Sequence, residues 1–209
     1  MMQYAHEHEW NNHKIDSSEL MSNSMPMRLD LDNQMREYLE GRDLNYGLAI
    51  YNGWYPGYYS GSRIIVPCFR SNGTLWWQGR ALPDNHSTLR WDSPSGPRGD
   101  AIAIVRPKTV PNWCACVEGP MDALAMAELG YVGIAILGSN PSIAVIGHLA
   151  QVMTASDRIL IPDSDAVDRW VHIQSCLVGF GINARICLVE AGYKDVASMP
   201  LEDRREFFG

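Results

Sequence analysis

The chain has 209 residues, of which 46% are hydrophobic, so it carries enough apolar side chains to bury a core. Its apolar runs fall far short of the roughly 20 residues that a membrane-spanning helix needs, and residues 1–10 lack the apolar core of a secretory signal, so we expect a cytoplasmic protein that contacts no membrane. The net charge of −7 argues against a surface coated with phosphate-binding residues, and any contact with nucleic acid must therefore be local.

The five cysteines are scattered through apolar segments, and their odd number favours reduced, buried thiols over a disulfide framework. The only close pair, Cys114 and Cys116, has one residue between its members, and no second pair follows it. A zinc ribbon needs paired Cys-x-x-Cys knuckles or their histidine equivalents. We therefore expect no structural zinc.

Residues 1–26 are polar and rich in Ser, Asn and His, which is typical of a mobile arm outside the fold. The three histidines of this arm are interpreted as chance occurrences and not as a metal site. Between Asp32 and Tyr46, apolar residues recur at helical spacing and predict a short helix that ends near Gly41.

Two strand-like runs, Arg63–Phe69 and Thr74–Arg80, flank the turn residues Asn72–Gly73 and predict a β-hairpin. Pro, Gly, Ser and Asp are frequent in residues 83–100, which predicts a loop. Two prolines follow shortly after this loop, and they predict a domain boundary near residue 110.

Residues 111–209 alternate short apolar runs with stripes at helical spacing. The predicted strands are Trp113–Val117, Val132–Leu137, Arg158–Pro162 and Ala184–Val189. One helix is predicted in each of the three intervals between them, and Pro120 opens the first. Alternation of this kind, with short loops, predicts an α/β fold in which a parallel sheet carries helices on both faces.

Acidic residues follow two of these predicted strands directly. Glu118 comes after the first strand and Asp163 after the third, with Asp165 two residues beyond it. Because the carboxyl ends of parallel strands meet at one crevice, these three carboxylates are expected to converge. Close carboxylates repel one another unless a cation neutralises them, and oxygen ligands suit Mg²⁺ or Mn²⁺ better than zinc. The alternative is that these residues only cap the helices that follow them.

Three segments carry a resemblance to a known family: Val117–Ala125, Leu137–Pro141 and Ile159–Ala166 are similar to the successive motifs of the TOPRIM domain. TOPRIM domains occur in DnaG-type primases, topoisomerases and certain nucleases. The resemblance implies a Rossmann-like fold whose Glu and Asp-x-Asp pair hold the metals of phosphoryl or nucleotidyl transfer. In this chain those catalytic residues are Glu118, Asp163 and Asp165.

The first half resembles the catalytic core of bacterial and phage DnaG-type primases. Tyr38–Leu44 is similar to the primase segment in which a Tyr-Leu pair precedes an Arg-Gly-Leu turn. Gln78–Leu82 and Trp91–Pro94 are similar to the elements that follow in the same order. Near the end of the chain, Gly192–Asp195 is similar to the Gly-Lys-Asp element of the family.

This resemblance spans about Tyr38 to Phe208 and implies two subdomains, a smaller α+β primase-type one in residues 27–110 and the TOPRIM domain in residues 111–209. It implies two bound Mg²⁺ or Mn²⁺ ions at the catalytic carboxylates. It further implies a fourth metal ligand and a set of basic residues that bind nucleic acid or nucleotide. The fourth ligand is Asp195, and the basic residues are Arg63, Arg80, Arg90 and Lys194.

The sequence departs from the family pattern at several of these elements. Ser164 stands where the family has a glycine between the two aspartates, and the Gly-Lys-Asp-Pro-Asp element is shortened to Lys194–Val196. Asp92 stands where an asparagine precedes Ser-Pro, and a carboxylate there is expected to repel phosphate. Because the usual basic run is also thin, we expect weak template binding and help from a helicase or a zinc-bearing partner.

The leading interpretation is synthesis of short primers on single-stranded DNA from nucleoside triphosphates. Two other functions stay open: a metal-dependent nuclease that uses the same carboxylates, and a non-catalytic protein that binds nucleic acid or the replisome. Trp76, Trp77 and Trp91 are candidates for stacking on bases. Since Trp76 and Trp77 are adjacent on a strand, they point to opposite faces, and at least one is expected to pack in the core.

Overall fold

The fold was analysed in a computed structural model that describes residues 29–138 and 140–209. The predicted arm, residues 1–26, lies outside the described residues. Helix α1 (Leu29–Glu40) matches the predicted helix, and its residues at a spacing of four, Leu31, Met35 and Leu39, are buried. The chain leaves α1 through a tight turn in which Asp43 has a φ of 53°, and α2 (Tyr46–Tyr51) follows.

The first sheet is antiparallel and has four strands in the order β1-β2-β3-β4. These strands are β1 (Tyr55–Tyr58), β2 (Ser62–Phe69), β3 (Leu75–Ala81) and β4 (Trp91–Asp92). Strands β2 and β3 form the predicted hairpin, and Gly73 in its turn has a φ of 80°. Trp76 packs in the core, as expected, whereas Trp77 is half-buried against the ring of Tyr59. Strand β4 lies within the segment that the sequence predicted to be loop.

The second sheet has five strands in the order β5-β7-β6-β8-β9. Its strands are β5 (Ala103–Val105), β6 (Trp113–Val117), β7 (Val132–Ala135), β8 (Asp157–Leu160) and β9 (Arg185–Ile186). The four predicted strands are present and parallel to one another, although β9 is shorter than predicted. The prediction omitted β5, which pairs antiparallel with β7 at the edge of the sheet. Because β5 precedes residue 110, the first strand of this sheet comes from before the predicted boundary, and the boundary itself stays a prediction.

Helices cover both faces of the second sheet, as predicted. They are α3 (Pro120–Glu128), α4 (Ile143–Val152) and α5 (Val167–Gly179), and a short 3₁₀ turn (Val196–Ser198) precedes the last helix, α6 (Leu201–Phe208). On β6, Ala115 and Val117 face the core that contains α3, whereas Cys114 and Cys116 face the core beneath α4 and α5. This alternation is the period of a strand buried on both faces.

All five cysteines are free thiols. Those at positions 68, 114 and 116 are buried, and the other two are half-buried, which fits the predicted role in core packing. No helix in the described ranges is both long and apolar enough to cross a membrane.

Candidate active site

Two of the predicted carboxylates lie side by side at the carboxyl edge of the parallel sheet. Strands β6 and β8 are neighbours with Cys116 opposite Leu160, and the amide of Ile161 donates to the carbonyl of Cys116 at 2.8 Å. Glu118 and Asp163 leave this pair of strands next to each other, and both line a cleft of about 230 Å³. A cavity of about 460 Å³ between the α1–α2 turn and α6 is larger, but no strand end delivers a carboxylate to it.

The loop after β9 brings a third acidic residue to the same cleft. The amide of Ser164 donates to the carbonyl of Lys194 at 2.9 Å, which ties this loop to the segment that follows Asp163. Lys194 and Asp195 consequently both line the cleft. The Oδ1 atom of Asp195 is buried and has no hydrogen-bond partner among the described residues. A buried carboxylate oxygen without a donor is available to a cation or to ordered water.

The electrostatics of the cleft reflect this crowding of negative charge. Burial, together with the charges of Glu118 and Asp195, raises the pKa of Asp163 to about 6, although the charge of Lys194 opposes this shift. Burial also raises the pKa of Glu118, while the guanidinium of Arg169 lowers it. Repulsion of this kind is what a divalent cation would neutralise.

Asp165 is the predicted ligand that the structure leaves at the rim. Its side chain is exposed, and it is not among the residues that line the cleft. Its charge nevertheless raises the pKa of both Glu118 and Asp163. Asp165 therefore contributes to the field of the site, and its direct contact with a metal stays a prediction.

The sequence analysis missed a buried carboxylate, Asp122 of α3, which also lines the cleft. Its Oδ1 accepts a hydrogen bond from the amide of Ala197 at 2.9 Å. A Cβ on residue 119 would come within 2.9 Å of the other carboxylate oxygen, so Gly119 leaves the room that Asp122 occupies. Burial, together with the charge of Asp195, raises the pKa of Asp122 to about 7. The signal available in the sequence was an aspartate in the apolar first two turns of α3, four residues after Glu118.

A pH dependence of stability follows for the metal-free protein. Because the pKa of Asp122 is about 7 when folded, against an ordinary value of 3.8, the folded state keeps a proton that the unfolded state releases. Stability should therefore fall as the pH rises between those two values, with a Tm roughly 5 °C or more lower at pH 8 than at pH 5. Thermal unfolding in EDTA measures this.

The variant Asp122→Asn should flatten this pH profile and raise the Tm at pH 8, since an amide oxygen can still accept from Ala197 but never ionises. Asp168→Asn, on the exposed start of α5, is the matched control and should keep the slope of the unmodified protein. Parallel profiles for Asp122→Asn and the unmodified protein would show that Asp122 does not titrate in this range.

A second wall of the cleft is basic and aromatic. It consists of Arg42, Arg80, Arg90 and Trp91, and Lys194 adds a positive charge beside Asp195. The guanidinium of Arg80 lies 5.6 Å from the ring centroid of Tyr38 and 5.5 Å from that of Trp91. Arg80 is only 8% exposed, and burial lowers its pKa.

Two guanidinium donors on this wall have no acceptor in the described part of the chain. The Nε atoms of Arg42 and Arg80 are buried without a hydrogen-bond partner. Arg42, which the sequence analysis did not select, lies 5.8 Å from the Tyr38 ring centroid. Unpaired guanidinium donors beside a carboxylate-lined cleft suit a phosphate group, which accepts several hydrogen bonds at once. Arg90 and Lys194 are exposed and add positive charge at the rim.

Arg63, which the resemblance assigned to binding, serves the scaffold instead. It is fully buried, and its guanidinium donates to the carbonyls of Tyr59 at 2.7 Å, and of Gly79 and Leu89 at 3.2 Å each. It also pairs with the carboxylate of Asp92 at 3.6 Å. This corrects two expectations: Arg63 is not accessible to a ligand, and the charge of Asp92 is directed at Arg63.

Mg²⁺ and Mn²⁺ require oxygen ligands, and the carboxylates of the cleft are oxygen ligands of this kind. Among residues 29–138 and 140–209, no group of three or more His, Cys, Asp or Glu side chains is arranged so that it could hold a metal ion. Mg²⁺ gives up water reluctantly and is commonly held by one or two carboxylates together with substrate phosphates. The carboxylates of Glu118 and Asp163 fit an ion bound in that hydrated form, and the unpartnered Oδ1 of Asp195 lies in the same cleft.

The chain has the fold of a DnaG-type primase catalytic core. In this fold an antiparallel sheet supplies arginines and a parallel sheet supplies carboxylates. Several solved structures that resemble this chain contain catalytic domains of such primases. The DnaG primase catalytic domain bound to single-stranded DNA aligns with a TM-score of 0.65 at 18% identity, over 91% of this chain and 74% of that one. The catalytic core of the E. coli primase aligns with a TM-score of 0.63 at 18% identity, over 88% and 72%.

A phage enzyme shares the same architecture. The primase fragment of the bacteriophage T7 primase-helicase protein aligns with a TM-score of 0.59 at 14% identity, over 81% of this chain and 71% of that one. No family model matches the sequence, and no curated protein matches it. At these identities the likeness establishes the fold.

Proposed function

We propose that this chain is a primase-type nucleotidyltransferase that joins nucleoside triphosphates into short primers on single-stranded DNA. The observation that carries the proposal is the cleft itself, where carboxylates at the ends of β6 and β8 face Arg42 and Arg80 across about 230 Å³. Phosphoryl transfer depends on positioning and on charge stabilisation, which such a pair of walls provides. One structural neighbour is a DnaG primase catalytic domain bound to single-stranded DNA, which agrees with this substrate.

The carboxylates and the arginines of the cleft have different roles in this mechanism. Glu118 and Asp163, with Asp195, would hold Mg²⁺ or Mn²⁺ ions, which supply charge neutralisation for the triphosphate and activation of the 3′ hydroxyl when bound. Arg80 and Arg42 donate to phosphate oxygens of the incoming nucleotide. Burial of Arg80 between two rings fixes its guanidinium before the nucleotide arrives, so little ordering remains to be done on binding.

Incubation of the protein with single-stranded DNA, Mn²⁺ and labelled nucleotides tests the proposal. Synthesis of short template-dependent products is the expected result. Degradation of the DNA would instead support the nuclease, and binding without either product would support the non-catalytic protein. A template of one repeated base with each nucleotide in turn distinguishes copying from untemplated addition.

Replacement of Arg80 by Ala should weaken binding of nucleotide or single-stranded DNA and reduce the slope of log K against log salt by about 0.7, the loss of one phosphate contact. Binding titrations at several salt concentrations measure this. Arg205→Ala removes an exposed arginine of α6 outside this cleft and serves as the control. Equal slopes for Arg80→Ala and the unmodified protein would assign Arg80 to packing alone. Arg80→Gln keeps much of the stem and separates the two roles if the alanine variant is unstable.

We further propose that a partner, such as a helicase or a zinc-bearing protein, holds the template for this chain. The net charge of −7 and the few basic residues at the cleft provide little general affinity for DNA. A partner that binds both would raise the effective template concentration at the site. Primer yield should rise as such a partner is titrated in at fixed template, and efficient priming by the chain alone would contradict this proposal.

A further inference from the structure

A loop between the two sheets, residues 96–100, is held by side chains from the β2–β3 hairpin. Arg70 donates from Nε to the carbonyl of Arg98 at 3.3 Å and from Nη2 to the carbonyl of Pro97 at 3.1 Å. The amide of Ser71 donates to the carboxylate of Asp100 at 3.2 Å. The loop is therefore tied to the first sheet at both of its ends.

The same loop reaches across to the second sheet. The Nδ1 atom of the buried His148, on α4, lies 2.9 Å from the carbonyl of Asp100. The Nη1 atom of Arg98 donates to the carbonyl of Leu137, just after β7. Arg98 thus extends a charged side chain from the junction to the carboxyl edge of the parallel sheet, where the catalytic carboxylates lie.

Leu137 has a backbone conformation that leucine rarely adopts. Its φ is 61°, in the left-handed region, and its side chain is buried. Such a conformation costs an L-residue free energy and persists only where surrounding contacts hold it. The hydrogen bond that Arg98 donates to the Leu137 carbonyl is such a contact.

The conformation of Leu137 in turn fixes the backbone of Glu118. The amides of Leu137 and Gly138 both point at the carbonyl of Glu118, at 2.9 Å and 3.4 Å. These donations set where the chain turns after β6, and so they set the position from which the Glu118 side chain enters the cleft. A change in the Leu137 backbone would therefore act directly on the Glu118 carbonyl, which accepts these hydrogen bonds.

We infer that Arg98 is a positioning residue for the reaction: it holds Leu137 in its left-handed conformation, and Leu137 holds the Glu118 backbone. The inference rests on the proposed function for its effect on catalysis. Misplacement of a reacting group by about 1 Å can cost about 100-fold in rate. Arg98 lies outside the residues that line the cleft, so its loss should lower kcat by up to about that factor and leave KM within about twofold.

The first test measures the contact without metal or substrate. Amide hydrogen exchange at Leu137 and Gly138, followed by NMR in the metal-free protein, should be about tenfold faster in Arg98→Ala. Arg98→Lys should restore slow exchange, because Arg98 uses one donor on the Leu137 carbonyl and a lysine can supply one. Unchanged exchange in Arg98→Ala overturns the inference.

The second test asks whether the strained backbone is the link. In the Arg98→Ala background, Leu137→Gly should recover about tenfold in kcat, because glycine adopts this φ without strain. Leu137→Ala removes nearly the same side chain but keeps the strain, so it should recover nothing. Equal behaviour of the two double variants would overturn the mechanism.

The remaining outcomes of these tests also decide whether Arg98 is a positioning residue. Faster exchange with unaltered kcat would make the contact irrelevant to catalysis, and a raised KM with unaltered kcat would make Arg98 a substrate contact; either result overturns the inference. If the unmodified chain makes no primer, the proposed function fails. The exchange data and their rescue by lysine would still decide whether Arg98 holds the Glu118 backbone.

Discussion

Replacement of Glu118 by Gln is expected to abolish primer synthesis, by about 10³-fold or more, while the protein stays folded. The amide keeps the shape of the side chain but removes a negative charge that a divalent cation needs. Burial and the charges of Asp165 and Asp195 raise the pKa of Glu118 in the metal-free cleft, so loss of its charge should leave Tm unchanged or raise it. Primer assays and thermal unfolding measure the two effects.

Two comparisons make the Glu118→Gln result specific. Asp163→Asn should cause a similar loss, and the double variant should lose little more than either single one, because residues that act as one unit are not additive. Glu37→Gln, on an exposed position of α1, should be fully active. Retention of synthesis by Glu118→Gln would refute the assigned role, and fully additive losses would mean that the two carboxylates act on separate steps.

The acidic wall of the cleft was predictable because its position follows from local sequence. Glu118 and Asp163 each come at or just after the end of a short apolar run, and parallel strands bring such ends together whatever the rest of the fold does. Asp195 and Lys194 needed the family resemblance, since strand β9 has only two residues and leaves little periodic signal. Strand β5 was missed for the same reason, with three residues and an antiparallel partner further along the chain.

The roles of the charged residues inside the fold could not be predicted, because their partners come together only in three dimensions. The resemblance assigned Arg63 to ligand binding, yet the carbonyls of Gly79 and Leu89 accept hydrogen bonds from its guanidinium. Asp122 looked like a helix residue, and the amide that satisfies it belongs to Ala197, 75 positions later. The sequence does not show whether a charged side chain will face solvent, bind a ligand or pair with another group of the protein.

Arg204 is a further buried charge of this kind, and it links three distant parts of the chain. It is fully buried on α6, and its Nη1 lies 3.1 Å from Oε2 of Glu128, at the end of α3. Its Nη2 donates to the carbonyl of Asp43, in the turn after α1, while Glu128 also accepts from the amide of Asn45. The pair therefore joins the turn after α1, the end of α3 and the last helix.

Replacement of Arg204 by Ala should destabilise the protein by about 3 to 5 kcal/mol, because it leaves the Glu128 carboxylate buried without its counter-charge. Replacement of both partners by apolar residues, Arg204→Met with Glu128→Leu, should recover most of that loss, since desolvation of two charges offsets much of their attraction. Urea unfolding of the single and double variants measures the difference, and Glu206→Gln on the exposed side of α6 is the control. A double variant as unstable as Arg204→Ala would mean that the hydrogen bonds to Asp43 and Asn45, and not the buried charge, dominate at this junction.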